Sequence, residues 1–356
     1  MKLFFSSLCL CLTIFSSCSQ KSKPKIEVVS LSSEPAELGP QKLSEWGFFD
    51  GDLADLKPAN GIIPYDLNTP LFSDYAYKLR FIKLPTGLKA SYHPTETFDF
   101  PVGSILIKNF YYPDDFHKPE GKRTIIETRV LIREEVEWKA LTYVWNNEQA
   151  EAYLEIAGAS VDISWRDKSG TIQNIPYSVP NLVQCKSCHD FKGKMLPIGP
   201  TARQLNRKYQ DNPKKPNQLA HWMQLHILDS LPPISGIPRL AVWDDDNNGT
   251  LSERARAWLE INCAHCHRKE GPAKNTGLYL LASQNDPYKI GINKPPVAAG
   301  RGSAGLRFAI VPGDAEASIL FQRIKSLDPG IMMPELGRKL NHDEGVDLIK
   351  TWIESL

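Results

Sequence analysis

The chain has 356 residues, 42% hydrophobic and 23% charged, which is ordinary globular composition and excludes disordered and fibrous classes. It is long enough for two or three domains. With 42 Lys and Arg against 41 Asp and Glu the formal net charge is +1, so no electrostatic case exists for a nucleic-acid partner.

In chain order, Met1 and Lys2 precede an uncharged apolar run that ends Phe15-Ser16-Ser17-Cys18. A short basic start and a run of this length predict a secretory signal peptide over residues 1–17, too short to span a bilayer. Small residues directly before a cysteine resemble a bacterial lipoprotein cleavage box, although Phe15 stands where Leu is usual. Cys18 is therefore the expected lipidation site, and the lipid anchor the expected membrane contact, on the periplasmic face of a bacterial membrane. An ordinary signal peptide cut nearby is the alternative. Residues 18–40, rich in Ser, Lys, Pro and Glu, predict a polar tether.

Strand signals follow at residues 104–110, 125–133, 139–145, 152–156, 161–165 and 171–177, separated by Gly, Pro, Asn and Asp turns. They predict an antiparallel β-rich domain over residues 41–180, as a sandwich or small barrel.

Of the cysteines, Cys9 and Cys11 lie in the expected signal peptide and Cys18 would carry the lipid, which leaves Cys185, Cys188, Cys263 and Cys266. Two disulfides would be the ordinary inference for an oxidising compartment, but a histidine follows each pair. Cys185-Lys186-Ser187-Cys188-His189 and Cys263-Ala264-His265-Cys266-His267 both read C-x-x-C-H, the attachment signature of c-type haem. The spacing has a chemical reason: two thiols reach the vinyl groups on one side of a porphyrin, and the adjacent imidazole turns under the ring to bind iron. Two haems c are expected, with His189 and His267 as proximal metal ligands. A four-cysteine zinc site usually brings its pairs within roughly 15–20 residues, and the interval from Cys188 to Cys263 is far longer. A thioredoxin-like pair needs a βαβ context that neither motif has. His265 reads as a solvated spacer.

Residues 181–240 form the first haem-binding segment. Its distal ligand stays open among Met195, His221, Met223 and His226, the last three on a predicted helix over residues 217–228 with His221 or Met223 preferred. Asp244, Asp246, Asn248 and Gly249 mimic the start of a calcium loop, but Ala255 occupies the twelfth position, where a bidentate Glu is needed. The stretch reads instead as a turn into Thr250-Leu251-Ser252-Glu253, a capping box opening a helix to about residue 262. A Gly/Pro/Lys-rich stretch over residues 271–305, a short helix through Ile319 and Ile324, Ile331-Met332-Met333-Pro334, and an amphipathic helix over residues 343–356 follow.

That order over residues 241–356 resembles class I cytochrome c, which places a distal thioether just before a proline. The resemblance implies Met333 as the second iron's ligand, with Met332 in reserve; Met333-Pro334-Glu335 stands where Met-Pro-Pro is expected. Both methionines as core gap-fillers is the bland alternative. The fold class expected is α+β: an N-terminal antiparallel β domain followed by an α-helical cytochrome c-like region.

Leu67-Asn68-Thr69-Pro70-Leu71-Phe72-Ser73-Asp74-Tyr75, the two C-x-x-C-H motifs, and the stretch from Pro197-Ile198-Gly199-Pro200 to Gln204-Leu205-Asn206-Arg207 resemble a family of bacterial secreted proteins with two c-type haem motifs, often found beside parallel β-helix repeat proteins. The likeness covers nearly the whole mature chain and implies haem binding, with no particular substrate or reaction. The leading expectation is extracytoplasmic electron transfer between redox partner proteins. A haem-dependent periplasmic oxidoreductase, with substrate at the β domain or first haem, is one alternative. A docking module for a secreted partner is the other.

Overall fold

The structure, a computed structural model, describes residues 38–209, 214–297 and 300–356; the signal peptide, Cys18 and most of the tether lie outside the described residues. Strands β1 (Ile62–Tyr65), β2 (Tyr77–Lys83), β3 (Ile105–Pro113), β4 (Arg123–Arg133), β5 (Trp138–Trp145) and β6 (Ala152–Leu154) form one antiparallel sheet whose spatial order is its chain order. β7 (Ala159–Arg166) and β8 (Ile172–Val179) make a separate hairpin. The six predicted strands overlap β3 to β8. They build a meander and a hairpin in place of the expected sandwich or barrel, and β1 and β2 were not foreseen.

Both faces of the sheet are covered, and the side-chain period of two sorts residues between them. Phe81, Ile107, Val130 and Leu141 lie in register across β2 to β5 and pack against Leu43, Phe48 and Leu56 from the preceding segment. Ile82, Leu106, Leu131 and Ala140 lie in register on the opposite face, beneath Cys185, Met195, Leu205 and Trp222. The first C-x-x-C-H segment therefore sits directly on the sheet.

Helices α1 (Leu182–His189), α2 (Ala202–Leu205) and α3 (Gln218–Gln224) cover that face. Asn181 caps α1 by accepting from the Gln184 amide at 2.9 Å, while the Gln184 side chain accepts from the Asn181 amide at 3.0 Å. α3 stops short of the predicted end near residue 228, and His226 takes a left-handed backbone with φ +58°.

The helical cytochrome c-like region expected after residue 240 is overturned. The protein is mainly antiparallel sheet, and its C-terminal part carries only the short helices α4 (Leu251–Leu259), α5 (Pro287–Ile290), α6 (Ile319–Lys325) and α7 (Asp343–Glu354), joined by irregular chain. The physical reason lies in residues 271–305, where Gly and Pro leave few runs able to nucleate a helix. Packing holds the short helices: α7 lies on α4 and α6 around Leu259, Phe321, Ile349 and Trp352. A Cβ at Gly345 would collide with the Trp258 indole, so glycine is what lets α7 approach α4. The capping box is formed as read, with Thr250 and Glu253 bonded reciprocally.

Candidate functional site

The first motif occupies α1. Cys185 and Cys188 are one turn apart, and His189 ends the helix where the chain folds back through β9 (Asp190–Phe191) and β10 (Lys194–Met195). That return brings Leu196 alongside: its amide donates to the His189 carbonyl at 2.9 Å, and His189 Nδ1 donates to the Leu196 carbonyl at 2.7 Å. Tying Nδ1 this way fixes the ring and leaves the Nε2 lone pair free, as a metal-binding imidazole requires. Burial pushes the ring's pKa down to about 4, so it stays neutral.

The second motif grows out of a π-helical turn, Glu260–Ala264, that continues α4. Cys263 and Cys266 are free thiols whose burial pushes both pKa values up to about 12, so neither is a reactive thiolate. His267 is held by the Leu280 amide, which donates to its carbonyl at 2.9 Å, and Nδ1 lies 3.4 Å from Thr276 Oγ1. Its pKa is likewise pushed to about 4 by burial. The turn after the motif is so tight that a Cβ at Gly271 would strike the Cys266 carbonyl.

A cavity lies beside each motif. The first, about 320 Å³, has Cys185, Cys188 and His189 on one wall and Arg80, Lys108 and Arg129 of the sheet on another. The second, about 410 Å³, is bounded by Cys263, Cys266, His267, Leu320, Ile324 and Met333. Cys188 and His265 line both. His265 is thus no solvated spacer: its Nδ1 is buried without a hydrogen-bond partner, and burial pushes its pKa to about 4.

Met333 lines both cavities and Met332 only the first. The loop carrying them is pinned from two sides. The Met333 amide donates to the Arg323 carbonyl at 2.9 Å, and the buried Arg338 guanidinium donates to the carbonyls of Met333 at 3.1 Å and Ser326 at 2.7 Å. The Asp74 carboxylate accepts the amides of Lys339 at 2.7 Å and Leu340 at 2.8 Å.

The first motif's other expected partners fare differently. Met195 is buried in a third cavity of about 460 Å³ that also reaches Cys188, His189 and His265. His221 stacks on Tyr209, Met223 packs at the edge of the core, and His226 is exposed; none of the three lines the first cavity. His342 does line it, but its Nδ1 accepts from Trp258 Nε1 at 2.9 Å, which places the proton on Nε2 and spends the lone pair a metal would need. Sequence reasoning missed Arg338 and the cationic wall; Asp74 lay inside a stretch singled out for resemblance, with no role attached.

These residues fit a c-type haem at each motif. Four free thiols in two pairs, two neutral imidazoles held through the backbone or a hydroxyl, and an adjoining cavity apiece are the donors and space it requires. Cys185, Cys188 and His189 would hold one, and Cys263, Cys266, His267 and Met333 the other. Among the described residues no group of three or more His, Cys, Asp and Glu is gathered as a single metal site.

No family model matches the chain, and no solved structure does. Over 127 residues, 36% of this chain, it is 29% identical to the Piezo-type mechanosensitive ion channel component 1 of Rattus norvegicus, and to the same extent to that of Homo sapiens. The match spans 5% of the length of each of those proteins.

Proposed function

We propose that the protein is a dihaem c-type cytochrome that is anchored by a lipid on Cys18 and moves electrons between redox partner proteins outside the cytoplasm. Haem supplies a one-electron couple when bound. The chain's residues attach it, orient it and keep water away. The observation that carries the reading is the adjacency of the two motifs: though distant in sequence, they border neighbouring cavities that share Cys188 and His265. A relay needs its two centres close together, and shared walls between the two cavities support that reading.

A second reading, a haem-dependent oxidoreductase, is favoured by one observation: His221, Met223 and His226 do not line the first cavity, so the first iron would be accessible to a small molecule unless Met332, Met333 or His265 caps it. The deciding experiment is expression of the full chain in a host with haem-maturation machinery. Pyridine haemochrome and intact mass should count two haems, and one or none would refute the proposal. Carbon monoxide binding to the reduced protein separates the readings, since a carrier refuses it and an enzyme with an open iron takes it. Cys18→Ala should move the protein from the membrane fraction to the soluble one.

A further inference from the structure

The sheet face beneath the first motif carries a row of cations. The register of β2, β3 and β4 sets Arg80 opposite Lys108 and Lys108 opposite Arg129, with Lys78 next to Arg80 along the same face. Like charges directly opposite each other destabilise a sheet. Carboxylates answer only part of the row. Asp66 takes Arg80 Nη1 at 2.7 Å, and Glu127 takes Arg129 at two points, Nη2 at 2.5 Å and Nε at 2.8 Å. Arg80, 5% exposed, keeps Nη2 buried with no partner. Among the described residues Lys108 reaches no carboxylate within 4.0 Å, and it holds its ammonium 4.6 Å over the Phe110 ring. Across the cavity Arg338 also leaves Nε buried and unpartnered. Burial and the neighbouring cations push Lys78 down to about 7 and Lys108 well below its usual range. A cation withdrawn from water is stable only when an anion meets it; Arg80 is buried and Lys108 and Arg129 half-buried, and these three face the space that Cys185, Cys188 and His189 also line.

We propose that Arg80, Lys108 and Arg129, backed by Lys78, form a carboxylate-binding site in the first cavity, occupied by the carboxylates of the porphyrin attached at Cys185 and Cys188. The choice of occupant rests on the dihaem reading. The site itself rests on the sheet alone, because a guanidinium flanked by an ammonium matches a carboxylate in charge and hydrogen bonding.

The test uses the full chain with Lys108→Met, which keeps the side-chain length and removes the charge, with Lys108→Arg as the conservative control. Both variants should still carry two haems, since the cysteines make the attachment. Potentiometry should show the first haem's midpoint lowered in Lys108→Met, the second unchanged, and the first restored in Lys108→Arg. A protein with Cys185→Ser and Cys188→Ser identifies which midpoint is missing and vacates the first cavity. Succinate titrated into it should bind, about tenfold or more weakly once Lys108→Met is added, whereas the holoprotein should not bind succinate. Lys108-dependent succinate binding by the holoprotein would overturn the porphyrin as occupant in favour of a free carboxylate. An unmoved midpoint together with no succinate binding to the vacated cavity would overturn the site. If the first motif carries no haem in the wild type, the dihaem reading fails, and succinate titration of that protein still decides the site.

Discussion

At the scale of single residues, the two methionines separate ligation from packing. Met333 borders both cavities, including that of Cys263, Cys266 and His267, whereas Met332 is 9% exposed and borders only the first. In the haem-loaded protein Met333→Ala should abolish a sulfur-to-iron absorption band near the red end of the oxidised spectrum and lower the second haem's potential. Met332→Ala should leave the band in place while costing roughly 2–5 kcal/mol of stability in chemical denaturation, as buried Met truncations do. A band that survives Met333→Ala would assign the ligand elsewhere. The two C-x-x-C-H motifs stand out in the sequence because the covalent chemistry they would serve dictates their spacing. The cations of the sheet were not, since Lys and Arg in a strand read as solvated until the register lines them up.

At the scale of elements, β3 to β8 were legible because strand-forming runs there are bounded by Gly, Pro, Asn and Asp turns. β1 escaped because Pro64 interrupts a four-residue strand, and β2 because Lys78 and Arg80 take inward positions that a simple pattern fills with apolar residues. The helices at residues 251, 319 and 343 were found by their apolar spacing, but spacing alone does not say that seven or twelve residues are too few for a helical domain. Gly271 offers a test of how the second motif is held. Gly271→Ala forces a Cβ onto the Cys266 carbonyl, an overpacking that typically costs about 1–3 kcal/mol. Haemochrome assay should show less second haem and an unchanged first, with a lower Tm.

At the scale of the whole molecule, long-range contacts cross residue 240. Arg203 pairs with Glu260 at 2.6 Å, Asn262 accepts the Phe72 amide at 2.9 Å, and Arg268 grips Glu96 at 2.6 Å. No local pattern announces such partners. His342 is the same kind of junction: it stacks on Phe72 at 4.4 Å and edge-on to Trp243 at 4.5 Å. Burial pushes its pKa down to about 4, against Glu344, which raises it, and together with Lys78, which lowers it further. The unfolded chain, titrating near 6.5, then binds more protons than the folded one between those values. This contribution to stability is complete above pH 6.5 and is lost as pH falls towards 4, roughly 3 kcal/mol in all. His342→Gln should flatten that stretch of the stability profile measured by urea titration at successive pH values, and an unchanged slope would show that the ring titrates normally.

The loop over residues 332–340 walls both cavities and is fastened to Asp74. Its fastening point lies far upstream in the chain. On the dihaem reading, one docking event would complete a wall of both compartments, so whatever loosens the loop from Asp74 would disturb the two haems together rather than one at a time.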